Sequence, residues 1–254
     1  MVAGEGFVFL LLLFLGFRNL QKSIEREVEI AHTHQNFLLS ITHELNTPLT
    51  SIKLYLQTIL KRDLEKTQID EILNNSISEA DRLKGLVDNI LTSARIDENE
   101  LQLHPTKQNL GDLVMDFLTP KKSQEGFNRI KLEIQEGIHC LVDPLAFSSI
   151  LQNLIENAIK YDPNQNEILI SVNKQADSAL LQVKDNGLGI SENQKEAIFQ
   201  KFYRIQSEKT RTTKGTGLGL FIVRNLVEIQ KGQIEHFRNT PSGSIFEIKF
   251  PLIK

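Results

Sequence analysis

The segment SITHELNTPL, residues 40–49, lies inside an apolar stripe whose spacing decides the architecture of the N-terminal part of the chain. Around it Leu20, Ile24, Val28, Ala31, Leu38, Ile41, Leu45, Ile52, Leu56 and Ile59 recur at intervals of three, four or seven. That is one face of a long amphipathic helix with a near-heptad repeat. A second run, Ile69, Leu73, Ile77, Ala80, Leu83, Val87, Ile90 and Ala94, repeats the pattern after a polar break from Arg62 to Gln68. Two helices and a short turn make a hairpin. A lone hairpin leaves its stripe half exposed, so the pattern predicts a homodimer in which two copies form a four-helix bundle.

Within the stripe, His43 stands beside Glu44, with Thr47 one turn further on and Pro48 next. An imidazole with one unprotonated nitrogen, its main state near neutral pH, can accept a phosphoryl group. Glu44 can take the released proton or hold the useful tautomer. Thr47 shares the face of His43 and can orient a water that removes the group again. Pro48 removes a helix hydrogen bond and permits a bend beside the acceptor. Taken alone, His-Glu reads more plainly as a surface histidine in a charged helix.

Upstream, Phe7 to Phe17 (FVFLLLLFLGF) is almost wholly apolar and is followed at once by Arg18 and Lys22. The run is short of the ~20 residues of a full span. Its basic flank predicts an anchor, full or clipped, over residues 1–18, with the remainder on the cytoplasmic side of the inner membrane. A cleaved signal peptide is the rival, and no small-residue cleavage site follows Gly16. A formal charge of -3 gives no global basic excess, so direct nucleic-acid binding is not expected. The only cysteine, Cys140, excludes an internal disulfide and a Cys-rich metal site, which suits a reducing compartment. His32, His34, His104, His139 and His236 lack metal-ligand spacing, and no zinc is expected.

After Glu98 the period changes. Short β-rich runs at Ile130 to Ile134, Ile138 to Val142, Ile168 to Val172, Leu180 to Lys184 and Ser244 to Phe250 alternate with helical stretches near Pro144 to Lys160 and Leu218 to Gln230. The pattern predicts an α/β sandwich, joined to the hairpin by a linker over Leu101 to Asn109, which contains Pro105.

Four motifs in this half carry chemistry. LQNLIENAIKY places Asn153, Asn157 and Lys160 on one helix face, where amide oxygens can complete a Mg²⁺ shell around nucleotide phosphates and the lysine can offset their charge. DNGLGI puts Asp185 between a strand and the glycines Gly187 and Gly189, where a buried carboxylate can accept from an adenine amino group; an ordinary Asp-Asn-Gly turn fits as well. KGTGLGL sets Lys214, Gly215, Gly217 and Gly219 at a helix mouth, where free N–H groups face anions, although the spacing matches neither the Rossmann nor the Walker pattern. Between them, Ser191 to Thr213 reads as a lid, with Phe199 and Phe202 packing its base and Arg204 available to a terminal phosphate; a plain surface loop is the alternative.

The order and spacing of these elements resemble the two-component sensor histidine kinases from Phe37 to Pro251. SITHELNTPL is similar to the family's H box, NLIENAIKY to its N box, DNGLGI and GTGLGL to its glycine boxes, and FQKFYRI to its F box. The resemblance implies a dimerisation and histidine phosphotransfer hairpin over residues 19–100 and a Bergerat-type ATP-binding sandwich over 108–254. It implies His43 as phosphoacceptor, Glu44 as general base, Thr47 as phosphatase-assisting residue, and Asn153 and Asn157 as Mg²⁺ ligands. Asp185 would bind adenine, with Gly187 and Gly189 beside it. Lys160, Tyr161, Arg204, Lys214, Gly215, Thr216, Gly217, Leu218 and Gly219 would surround the phosphates of ATP. The implied partner is the receiver aspartate of a response regulator. The chain departs from the usual layout in carrying no sensor domain ahead of the hairpin. A nucleotide-binding scaffold and an ATPase of the gyrase, chaperone or mismatch-repair type are the other readings, and an intact His43, Asn157 and hairpin speak against them.

Overall fold

The computed structural model describes residues 2–122, 124–205 and 215–253. Helix α1 (Val2–Lys61) and helix α2 (Lys66–Asp97) form the hairpin. A capping box starts α2: the Glu65 side chain accepts from the backbone of Gln68, and the Gln68 side chain accepts from the Glu65 N–H. Pro48 lies inside α1 without interrupting it. No helix among the described residues is long and apolar enough to cross a membrane, so the expected membrane helix over residues 1–18 finds no support in the fold.

The rest is an α/β sandwich of β1 (Thr106–Asn109), α3 (Leu110–Leu118), β2 (Ile130–Ile134), β3 (His139–Val142), α4 (Pro144–Lys160), β4 (Ile168–Gln175), β5 (Ser178–Lys184), α5 (Gly219–Ile229), β6 (Gln233–Arg238) and β7 (Ser244–Pro251). Five strands make one sheet in the order β2-β4-β5-β7-β6; β2 runs parallel to β4 and the other pairs are antiparallel. One sheet face is apolar, carrying Ile168, Ile170, Val172, Leu181, Val183, Phe246, Ile248 and Phe250, all buried in a core shared with α3, α4 and α5. The other face carries a polar row in which Ser171, Gln182, Glu247 and Lys249 are linked by hydrogen bonds and an ion pair. Strict alternation along the strands produces the two faces.

Helix α4 coincides with its expected span because its signals agree: Asp143 caps the backbone N–H groups of Leu145 and Ala146, Pro144 opens the first turn, and an apolar stripe follows. The expected linker is shorter than Leu101 to Asn109, since its last four residues form β1, paired antiparallel with β3. The Thr-Lys-Gln-Asn sequence of β1 has no apolar alternation to announce it, and only its pairing with β3 orders it. Strand β6 and helix α3 were likewise not expected from periodicity; α3 is short and starts at the Asn109 cap.

Candidate functional site

The predicted residues gather where α4, the turn after β5, the mouth of α5 and one side of α1 meet. On α4, Asn153 is buried; its amide nitrogen donates to Ser149 O at 2.9 Å, and its Oδ1 would lie 2.7 Å from a Cβ added at Gly219, the first residue of α5. Two turns on, Lys160 Nζ would lie 2.4 Å from a Cβ added at Gly215. Gly219 is therefore needed for close approach, whereas Gly215, at φ +155°, is needed for its backbone conformation as well. Asn157 lies between them on the same helix face, half-buried.

Lys160 is pushed down to about 8, first by burial and then by the like charge of Arg204, while Glu44 and Glu156 act in the opposite direction. Its ammonium also sits 4.8 Å from the centre of the Tyr161 ring. Burial raises the Tyr161 phenol.

The DNGLGI turn closes on the end of α4. Leu188 N donates to Tyr161 O at 3.1 Å, and a Cβ at Gly187 would meet that carbonyl at 2.5 Å. Asp185 is buried, and its Oδ1 accepts from Gly187 N and Ser244 N at 2.9 and 3.0 Å. Burial raises its pKa, the two N–H donors hold it back, and Asp162 pushes it up. Motif reading missed the residues that fix the main chain of this aspartate. Asn239 donates through Nδ2 to Asp185 O at 2.7 Å, and Gly243 packs so tightly that a Cβ there would lie 2.1 Å from the same carbonyl. Gly243, just before β7, was the one available sign, as a glycine marking close backbone approach.

At the mouth of α5, Leu218 is the cap residue and is buried, and Thr216 Oγ1 accepts from Leu218 N at 3.4 Å. Gly217 has φ +72°, and its added Cβ would clash with Phe202 O at 2.9 Å. Lys214 and residues 206–213 of the expected lid lie outside the described residues. Of the rest, Phe199 is buried and Arg204 is exposed.

The hairpin touches this site through the turns just before His43. Ser40 Oγ donates to Gly215 O at 3.0 Å and accepts from Arg204 Nη1 at 3.3 Å. The Phe37 and Phe202 ring centres are 3.7 Å apart. Lys201 pairs with Asp97 at the end of α2. His43 is exposed, whereas Glu44 is buried and its Oε2 lies 3.3 Å from Arg82 Nη2. Thr47 spends its hydroxyl on His43 O at 3.0 Å. Ser40, Phe37 and Arg82 were not among the predicted site residues. The arrangement joins a histidine-bearing helix to a pocket of glycine backbone, amide oxygens, cations and one buried carboxylate.

Two family models match the two parts. The His Kinase A (phospho-acceptor) domain matches residues 33–99, and the Histidine kinase-, DNA gyrase B-, and HSP90-like ATPase matches residues 142–254. The chain belongs to the two-component sensor histidine kinases. It is 29% identical over 239 residues to Sensor protein SrrB of Staphylococcus aureus, covering 91% of this chain and 40% of that one. The chain thus spans about 40% of the length of the curated relatives it matches. Among solved structures, the Acinetobacter baumannii histidine kinase AdeS has the same fold with a TM-score of 0.56 at 24% identity, covering 84% of this chain and 98% of that one. Full-length ShkA, solved in complex with AMPPNP, gives a TM-score of 0.58 at 21% identity, covering 85% and 46%.

Proposed function

We propose that this chain is the kinase core of a sensor histidine kinase that phosphorylates His43 from ATP and passes the group to a response-regulator aspartate. The observation that carries the reading is the seating of the His43 helix on the glycine-lined pocket of the same chain, through Ser40, Gly215 and Arg204. In the transfer, an unprotonated imidazole nitrogen of His43 bonds to the terminal phosphorus. The bond to the bridging oxygen breaks, its electron pair leaves on ADP, and the imidazole proton passes to Glu44 or to water. Positioning and charge offset supply most of the acceleration.

The purine end would be held by Asp185, whose free carboxylate oxygen can accept from an exocyclic amine while Gly187 and Gly189 allow close approach. Lys160, Tyr161, Arg204, Lys214 and the Gly215–Gly219 turn would line the phosphates. The donor set also fits a hard cation, because Asn153 and Asn157 offer neutral oxygens on one helix face beside that turn. Bound there, Mg²⁺ would offset phosphate charge. Thr47 would assist dephosphorylation of the regulator by orienting a water once its hydroxyl leaves the His43 carbonyl.

The exposed stripe of α1 and α2 supports a homodimer, with residues 19–100 as the dimerising unit and 108–254 as the ATP-binding unit. The apolar run Phe7 to Phe17 with Arg18 and Lys22 supports attachment to the inner membrane; co-fractionation of the chain with membranes after a salt wash tests that part.

Incubation with γ-labelled ATP and Mg²⁺ tests the whole. The wild type takes up label, and His43→Gln and Asn157→Ala do not. A wild type that binds nucleotide and dimerises yet stays unlabelled would turn the reading into a nucleotide-binding scaffold.

A further inference from the structure

No motif contains Arg82, yet it is the α2 residue paired with the neighbour of His43. Its Nη2 lies 3.3 Å from Glu44 Oε2, and its Nη1 lies 3.6 Å from Glu79 Oε2. Glu44 is 4% exposed, so its carboxylate has little water to stabilise it. One turn before Glu44 on α1, Ser40 Oγ accepts from Arg204 Nη1 at 3.3 Å, and the charges of Arg204, Glu44 and Arg82 all act on Lys160. The hairpin thus carries one carboxylate–guanidinium pair a turn away from the Ser40–Arg204 contact with the sandwich.

Without Arg82, the residue next to His43 would be left as a buried, unpaired negative charge, which also opposes an incoming triphosphate. A guanidinium offsets that charge and fixes the carboxylate in one direction.

We propose that Arg82 is a positioning residue for the phosphoryl transfer, holding Glu44 in place beside His43 and masking its charge from the nucleotide phosphates. The inference rests on the reading of His43 as the phosphoacceptor. It assigns Arg82 to the turnover step rather than to nucleotide capture, because its partner is Glu44 and not a residue of the α4–α5 pocket.

The test is a comparison of autophosphorylation by the full chain with Arg82→Ala, Arg82→Lys, Glu44→Gln and the double variant Arg82→Ala/Glu44→Gln. Arg82→Ala is expected to lower kcat by about tenfold or more and to leave the KM for ATP within about threefold. Arg82→Lys recovers part of the loss. In the Glu44→Gln background, removal of Arg82 costs less than about twofold further, because the charge it masks is gone.

Wild-type turnover in Arg82→Ala overturns the inference while leaving the kinase reading intact. So does an equal loss with and without Glu44, accompanied by a lower unfolding temperature, which would make Arg82 a structural residue of the hairpin. An unlabelled wild type removes the kinase reading and this inference with it.

Discussion

The hairpin and the sandwich differ in how they treat their apolar side chains. Among the described residues, every buried aliphatic or aromatic side chain other than Pro48 lies at or beyond Leu110, while the hairpin's buried polar groups are Glu44, Ser76 and Ser93. Its large apolar residues stand in water: Leu56 is 47% exposed, Ile77 60% and Leu60 84%. A sheet with helices on one face closes its core within one chain, whereas two helices cannot. The sandwich is thus complete by itself, whereas the hairpin's apolar stripe is left uncovered within one chain.

The largest expected effect breaks the sandwich. Phe147 is fully buried and packs with its ring centre 6.3 Å from that of Phe250. Phe147→Ala should cost about 3–5 kcal/mol in chemical denaturation, independent of protein concentration. Next, Ile77→Asp tests the unfinished hairpin. In a monomer, a change at so exposed a site stays within about 0.5 kcal/mol. In a four-helix bundle it buries a charge and should weaken dimerisation by about a hundredfold, measured by analytical ultracentrifugation. An unchanged dimer would move the interface off this stripe.

A smaller effect sharpens the sandwich side. Asp143 caps α4 and also accepts from His104 N at 2.8 Å, so it ties the helix carrying Asn153 and Lys160 to the segment leading from the hairpin. Asp143→Ala should cost about 1 kcal/mol of sandwich stability, read from thermal unfolding.

The smallest effect lies at the seam between the two regions. Lys160 is depressed to about 8 by burial and then by Arg204, so it is charged below that pH and increasingly neutral above it. A bound anion favours the charged form. Nucleotide binding at about pH 9 should therefore take up protons, less than one per site, and affinity should fall as pH rises through about 8. Calorimetry in buffers of different ionisation enthalpy reads the uptake, and Lys160→Arg abolishes it.

Local patterns made much of this legible. Heptad spacing announced both hairpin helices, and the Asp-Pro start with a 3.6-residue stripe announced α4. Polar Thr106–Asn109 gave no sign, since β1 exists only because β3 lies beside it. The same distinction governs the site. Residues within one motif, such as Asn153, Asn157 and Lys160, share a helix face and could be grouped from spacing alone. The residues that hold the motifs in place could not. Glu44 meets Arg82 across 38 positions, Asp185 meets Asn239 across 54, and Ser40 meets Gly215 across 175. Those pairings are products of tertiary packing, and no short pattern encodes them.

The central claim is that the exposed histidine of the hairpin receives the phosphoryl group from the pocket of the sandwich. Its most direct test is to phosphorylate the full chain with γ-labelled ATP, divide the product between acid and base, and locate the label by mass spectrometry. The account predicts a label lost in acid, retained in base and mapped to the peptide containing His43. A label that survives acid, or that maps to a serine, threonine or aspartate, would contradict it.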